Sequence, residues 1–345
     1  DAVTNGTISV GQQGIISGSA GYTVTATIDA SSGTGANGVT VTNSGALRLN
    51  AGTVNLTATN ALGTGVLIQS NGSSTAIFSA GGTYTQNMSL YNVSFTNGGN
   101  TLSGSITNNG SGTFTGASGT TNTITGVISG TGGFTKEGSG QIVLNGSANN
   151  TYSGATVVNA GSLVLSNSSG NAINNSSSIT VNNGGTLVLG ASNQIGDGIG
   201  LILNGGTLLV GASTLSETLG TLTLNASSTI DFGNFGATGL RQLTFSNSSA
   251  ISWTGTLTIT NWQGVANTSS DFTEIFFGVG GLSTAQQAQI RFANQGNVAG
   301  TLLGTGELVP VPEPQVYAAA LALIAFVGWR ERKRIASIIG IKRRL

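Results

Sequence analysis

Side chains able to do acid–base or nucleophilic work are few in this 345-residue chain. The candidate acids in its body are Asp29, Asp197, Glu217, Asp231, Asp271 and Glu274, and the basic residues before position 310 are Arg48, Lys136, Arg241 and Arg291. Glycoside hydrolysis needs two carboxylates facing one glycosidic bond, and lyase chemistry needs a cation beside a uronate. Asp271 and Glu274 are close in sequence, but a pair three residues apart in or before a strand has the spacing of a solvated turn. The four cations are scattered. Histidine and cysteine are both absent, which removes a Ser-His-Asp triad, a thiolate nucleophile, histidine-held zinc and any disulfide. The glycine-rich turns hold no phosphate-cradling loop between a strand and a helix, and no calcium-binding nonapeptide. The chain therefore reads as a non-enzyme, with no catalytic, cofactor-binding or metal-binding residues; a polysaccharide-acting enzyme is the alternative, and a buried carboxylate cluster in a groove would distinguish it.

The elements carrying these residues are short and polar. Glycine supplies 56 positions and charged residues only 6%, against about a quarter charged in an ordinary globular domain. Apolar residues alternate with Thr, Ser or Asn, as in Ile8/Val10, Val39/Val41, Leu47/Leu49, Val54/Leu56 and Val66/Ile68, which is the half-buried strand pattern. The element Gly-x-apolar recurs as Gly140-Gln-Ile142, Gly161-Ser-Leu163, Gly185-Thr-Leu187, Gly206-Thr-Leu208 and Gly220-Thr-Leu222. A near-constant period places like residues above like in a solenoid, so Leu144, Leu165, Leu189, Val210 and Leu224 are expected to form one interior ladder. The fold class expected is all-β, a right-handed parallel β-helix over residues 1–240, with an antiparallel sandwich as the alternative.

From Gly130 to Leu165 the residues Phe134-Thr-Lys-Glu-Gly138 and Asn150-Thr-Tyr-Ser-Gly154, followed by Thr156, Val158, Gly161, Leu163 and Leu165, resemble the autotransporter-associated β-strand repeat. That resemblance implies a right-handed parallel β-helix in an exported protein. Residues 241–308 change character and are expected to cap the solenoid, because an open last turn would expose its core and its strand edges. Ser283-Thr-Ala-Gln286 is a capping box opening a short helix, Thr284–Ile290. Trp253 and Trp262 read as cap core, with stacking against a sugar as the sharper alternative.

The three prolines of the chain all lie in Val309-Pro-Val-Pro-Glu-Pro314, a segment that must be extended and cannot join a sheet interior. A charge-free run follows, Val316 to Trp329, with Leu321, Leu323, Ile324 and Phe326 between, and then Arg330, Arg332, Lys333 and Arg334. Fourteen residues make a helix of roughly 21 Å, short of the roughly 30 Å of a bilayer core, but Trp329 is placed as an interfacial anchor and the arginines can snorkel. The charges segregate as the positive-inside rule asks: residues 1–309 carry four basic against nine acidic residues, and the tail seven against two. A weakly acidic body argues against nucleic acid as a partner. The order Val311-Pro312-Glu313-Pro314, apolar helix, Arg cluster resembles the PEP-CTERM sorting signal; the continuation through Ile335–Leu345 departs from it. The resemblance implies an inner-membrane helix (316–329) within a signal spanning 309–345 and processing by the membrane transpeptidase exosortase. It also implies a signal peptide removed or left out, and a final place at the cell surface or outside the cell among exopolysaccharide or other surface proteins. A self-transporting passenger is a further alternative, which would call for a terminal β-barrel.

Overall fold

The structure is a computed structural model that describes residues 74–236, 238–264, 272–311 and 322–332, and upstream of these residues 14–16, 25–28, 46–49, 52–56, 59, 66–69 and 72. The strands expected around Ile8/Val10 and Val39/Val41 lie outside the described residues. What is described up to Phe292 is a parallel β-solenoid: strands such as Gly112–Gly116, Thr121–Ile124 and Ile128–Ser129 follow one another along the chain and fall in three different sheets. Each pairs, in parallel, with its equivalent in a neighbouring coil, as Gly112 does with Phe134, 22 residues on, and Ile128 with Ile106 of the coil before. The sandwich alternative is overturned by this pairing.

The alternation in sequence decides which side chains point inward. Gln141–Leu144, Gly161–Leu165, Gly185–Leu189 and Thr207–Val210 stack in one sheet, with the pairs Leu144–Leu165, Leu165–Leu189 and Leu189–Val210 in register. All four side chains are fully buried, so the expected ladder stands at these positions, and it extends back through Ile124 and Leu102 to Tyr84. Burying each such side chain contributes about 1.5–3 kcal/mol.

Leu224 is the exception. It is buried, but it lies in the strand Leu215–Ala226 and pairs with Leu203 on a different face. The residue that continues the Gly206 column is Ser228, because Thr207 pairs with Thr229. The element Gly220-Thr-Leu222 copies the local pattern on another side of the coil, and the 14-residue interval that precedes it marks the jump. Val66 and Ile68 likewise face out while Leu67 and Gln69 are buried. Gln69 earns its inward place by bonding the backbone of Tyr91 and Asn92 through its amide.

Parallel coils continue past residue 240. Arg241–Ser246 pairs with the first half of Leu215–Ala226, Thr273–Phe276 pairs with Arg241–Ser246, and Leu257–Thr260 pairs with Ile290–Phe292. Among the described strands, antiparallel pairing begins at Val298–Leu302 and Leu308–Pro310. The short helix is Thr284–Ala288, two residues shorter than expected, since Ile290 opens a strand. Its capping box is made as the sequence implies, with Gln286 N–H donating to Ser283 Oγ and Ser283 N–H to Gln286 Oε1. Trp262 is fully buried and Trp253 nearly so, its indole N–H donating to Leu222 O at 3.0 Å. Neither is placed to stack on a sugar.

Candidate functional site

The motif residues between Phe134 and Leu165 converge on the corners of the coil. Phe134 stacks on Phe114 from the coil before, ring centres 4.3 Å apart. Lys136 is the surprise, because alternation turns its side chain into the interior, where it is fully buried. Its Nζ donates to three carbonyls, Glu137 O and Gly138 O at 2.7 Å and Ala160 O at 3.0 Å. These hold the bend after the strand and tie it to the next coil. Burial pulls the Lys136 ammonium down to about 8, partly offset by the neighbouring Glu137 carboxylate.

Asn150 works between coils. Its Oδ1 accepts from Ile128 N–H and its Nδ2 donates to Ala172 O, both at 2.8 Å, replacing strand pairing on a face where the strands have thinned out. Tyr152 Oη meets Thr156 Oγ1 at 2.7 Å, and Thr156 Oγ1 meets Ser176 Oγ at 3.0 Å, so a buried hydroxyl chain links two coils. Burial drives the Tyr152 phenol well above its ordinary value. Gly154 must lack a Cβ, because one would run into the backbone of Gly133 and Gly132. The motif is a set of corner fasteners, chosen by the need to satisfy buried polar backbone.

Among the described residues, the candidate acids are not brought together into a groove. Asp29 and Asp271 lie outside the described residues. Asp197 is exposed, Asp231 Oδ1 accepts from Gly233 N–H and Asn261 Nδ2, and Glu274 Oε2 accepts from Gln242 Nε2. Among the described ones Glu217 alone is buried, and both its oxygens are taken by backbone: Gln194 N–H at 2.7 Å and Ile195 N–H at 3.0 Å. Burial pushes its carboxyl up to about 7 against those two donors, with Asp197 adding to the rise. A raised carboxyl can act as a general acid, yet this one faces the interior and props a corner. Two surface grooves, of about 730 and 380 Å³, are lined by asparagine, serine, threonine, glycine, alanine and valine, without a carboxylate.

Of the expected sorting and membrane residues, Pro312, Glu313, Pro314, Val316, Leu321, Lys333 and Arg334 lie outside the described residues. Val311 is described, its N–H donating to Ala299 O at 2.9 Å as the chain leaves the cap. Residues 322–332 are helical. Leu323, Ile324, Phe326, Val327 and Trp329 on it are each more than half exposed, and Phe326 and Trp329 pack against each other with ring centres 6.0 Å apart. Arg330 and Arg332 are exposed at its end. Among the described residues no helix is long and apolar enough to cross a membrane.

Sequence reasoning missed Lys136 and Glu217 as interior groups. The signal for Lys136 was its place two residues after an inward Phe134 in an alternating strand. Comparison with known proteins agrees on the repeat: residues 134–165 match the passenger-associated-transport-repeat family. No curated protein and no solved structure matches the chain.

Proposed function

We propose that this chain is an exported, surface-associated solenoid with a structural or adhesive role, sorted through its C-terminal segment by an exosortase and held near an exopolysaccharide matrix. The observation that carries the reading is the change of character after the cap. Leu308–Pro310 pairs antiparallel with Val298–Leu302, and the helix at 322–332 then presents exposed apolar side chains. Apolar surface of this extent favours burial in lipid or against a partner, and an indole with two guanidinium groups at one end suits a membrane interface. In this reading Val311-Pro312-Glu313-Pro314 is the extended segment a transpeptidase threads, the run 316–329 holds it at the inner membrane, and Arg330, Arg332, Lys333 and Arg334 keep the far end in the cytoplasm. The solenoid needs no catalytic group: its periodic Thr, Ser and Asn surface is suited to contact with glycans or like chains.

The passenger-type repeat favours a second reading, that of a passenger exported by an autotransporter route. One experiment separates the two. The mature envelope protein is isolated and its C-terminal peptide identified by mass spectrometry, for the wild type and with Pro312, Glu313 and Pro314 replaced by alanine. The sorting reading expects a wild type lacking Leu345 and an alanine variant that stays full-length in the membrane. Neutralising Arg330, Arg332, Lys333 and Arg334 is expected to release some full-length soluble chain. Wild-type envelope protein that retains Leu345 overturns sorting, and cleavage indifferent to the alanines favours the passenger.

A further inference from the structure

Asn159, Asn182 and Asn204 occupy equivalent positions at the ends of successive strands, on the outward side of one face. Their amides form a ladder: Asn182 Nδ2 donates to Asn159 Oδ1 at 2.6 Å and Asn204 Nδ2 to Asn182 Oδ1 at 2.8 Å. Asn159 Nδ2 in turn donates to Glu137 Oε1. A primary amide has two N–H donors and two lone pairs. The ladder uses one of each from Asn182, so one donor and one acceptor remain, in an orientation the ladder fixes. Beside it runs the open groove of about 730 Å³, lined by Asn159, Asn182, Asn183, Asn204, Gly205 and Ser227 among others, none of them charged. Asn183 is exposed, at the edge of this groove.

We propose that this groove binds a neutral, linear polysaccharide lying along the solenoid axis, with one amide of the ladder facing each sugar ring. A sugar hydroxyl both donates and accepts, so two neighbouring hydroxyls complement the remaining donor and acceptor of a fixed amide. Coils are about 4.8 Å apart, close to the length of one pyranose ring in an extended chain, so the match repeats over consecutive rings. The ladder is ordered before the ligand arrives, which lowers the entropic cost of binding. The uncharged lining offers no cation to a uronate or sulfate, and Glu137 at the foot of the ladder repels one. The proposal rests on the surface reading above, which puts the chain where polysaccharide is met.

The test uses the full chain in detergent with cellohexaose as the neutral probe and hexagalacturonate as the acidic one. Side-chain amide resonances are followed by ¹H–¹⁵N spectra and affinity by calorimetry. Cellohexaose is expected to shift the amides of Asn159, Asn182, Asn183 and Asn204, and to bind about tenfold more tightly than hexagalacturonate. The double variant Asn183→Ala/Asn204→Ala is expected to lose about tenfold in affinity, as the removal of one or two hydrogen bonds implies, while still melting cooperatively within a few degrees of the wild type despite losing the Asn204–Asn182 bond. Unmoved amide resonances, or full affinity in the double variant, overturn the groove. Binding that persists in the double variant leaves the surface reading standing, whereas wild-type protein that retains Leu345 removes the sorting route and leaves the groove measurement intact.

Discussion

The coils around residues 134–165 and those that close the solenoid after residue 250 hide the same kind of surface by different means. In the middle, every strand edge meets the next coil, so leucines stack on leucines and small polar side chains such as Asn150 and Thr156 fasten the corners. At the end, among the described residues, no further coil follows. There tryptophan joins the filling, with Trp262 edge-on to Phe292 beside Phe277 stacked on Phe245. The chain then reverses, so that Val298–Leu302 and Leu308–Pro310 cover the last parallel strand in antiparallel pairing. A repeat can be uniform only while it has neighbours on both sides; its terminus must bring its own cover.

Breaking the middle should have the largest effect. Leu189 contacts equivalents in both adjacent coils, and Leu189→Asp puts an unpaired charge into a fully apolar column, at a cost on the order of 5 kcal/mol or more. Circular dichroism is expected to show loss of the cooperative melt; a variant that melts like the wild type would mean the inward register is wrong. The end should respond more mildly. Trp262→Ala removes the largest fully buried side chain, a loss of about 3–5 kcal/mol, but nearest-neighbour coupling confines the damage to the last coils. Hydrogen exchange should then quicken after residue 240 while amides near Leu165 keep their protection; uniform loss of protection would show that the two regions melt as one unit.

The smallest effect sharpens the comparison through pH. Glu217 has its carboxyl raised to about 7 by burial, so its contribution is fully present below the ordinary carboxylate value near 4.5. That contribution is lost as pH rises through 7, where the ionised form must stay buried. The wild type is therefore expected to melt a few degrees lower at pH 8 than at pH 5, and Glu217→Gln to flatten that slope. An unchanged slope would assign the pH dependence to other groups.

Much of this architecture was legible in the residues. The inward set Leu144, Leu165, Leu189 and Val210 follows from alternation with a near-constant interval, and the Ser283–Gln286 box follows from four adjacent residues whose bonds are all local. What was misplaced involved partners a coil away. Leu224 shares the local pattern of the ladder residues, yet the length of the preceding chain carries it to another face. Lys136 looks like a solvated charge until the carbonyls of Glu137, Gly138 and Ala160 are seen to surround it.

Amino-acid sequence by itself determined the inward ladder from Leu144 to Val210 and the capping box that opens the short helix, because these depend on alternation and backbone geometry within a few residues. Tertiary structure alone decided which coil position stacks on which, and through that the burial of Glu217, the fasteners made by Asn150 and Thr156, and the amide ladder of Asn159, Asn182 and Asn204. Those contacts join residues about 22 positions apart, so they exist only once every intervening coil has its length. A single insertion or bulge shifts them without altering any local pattern.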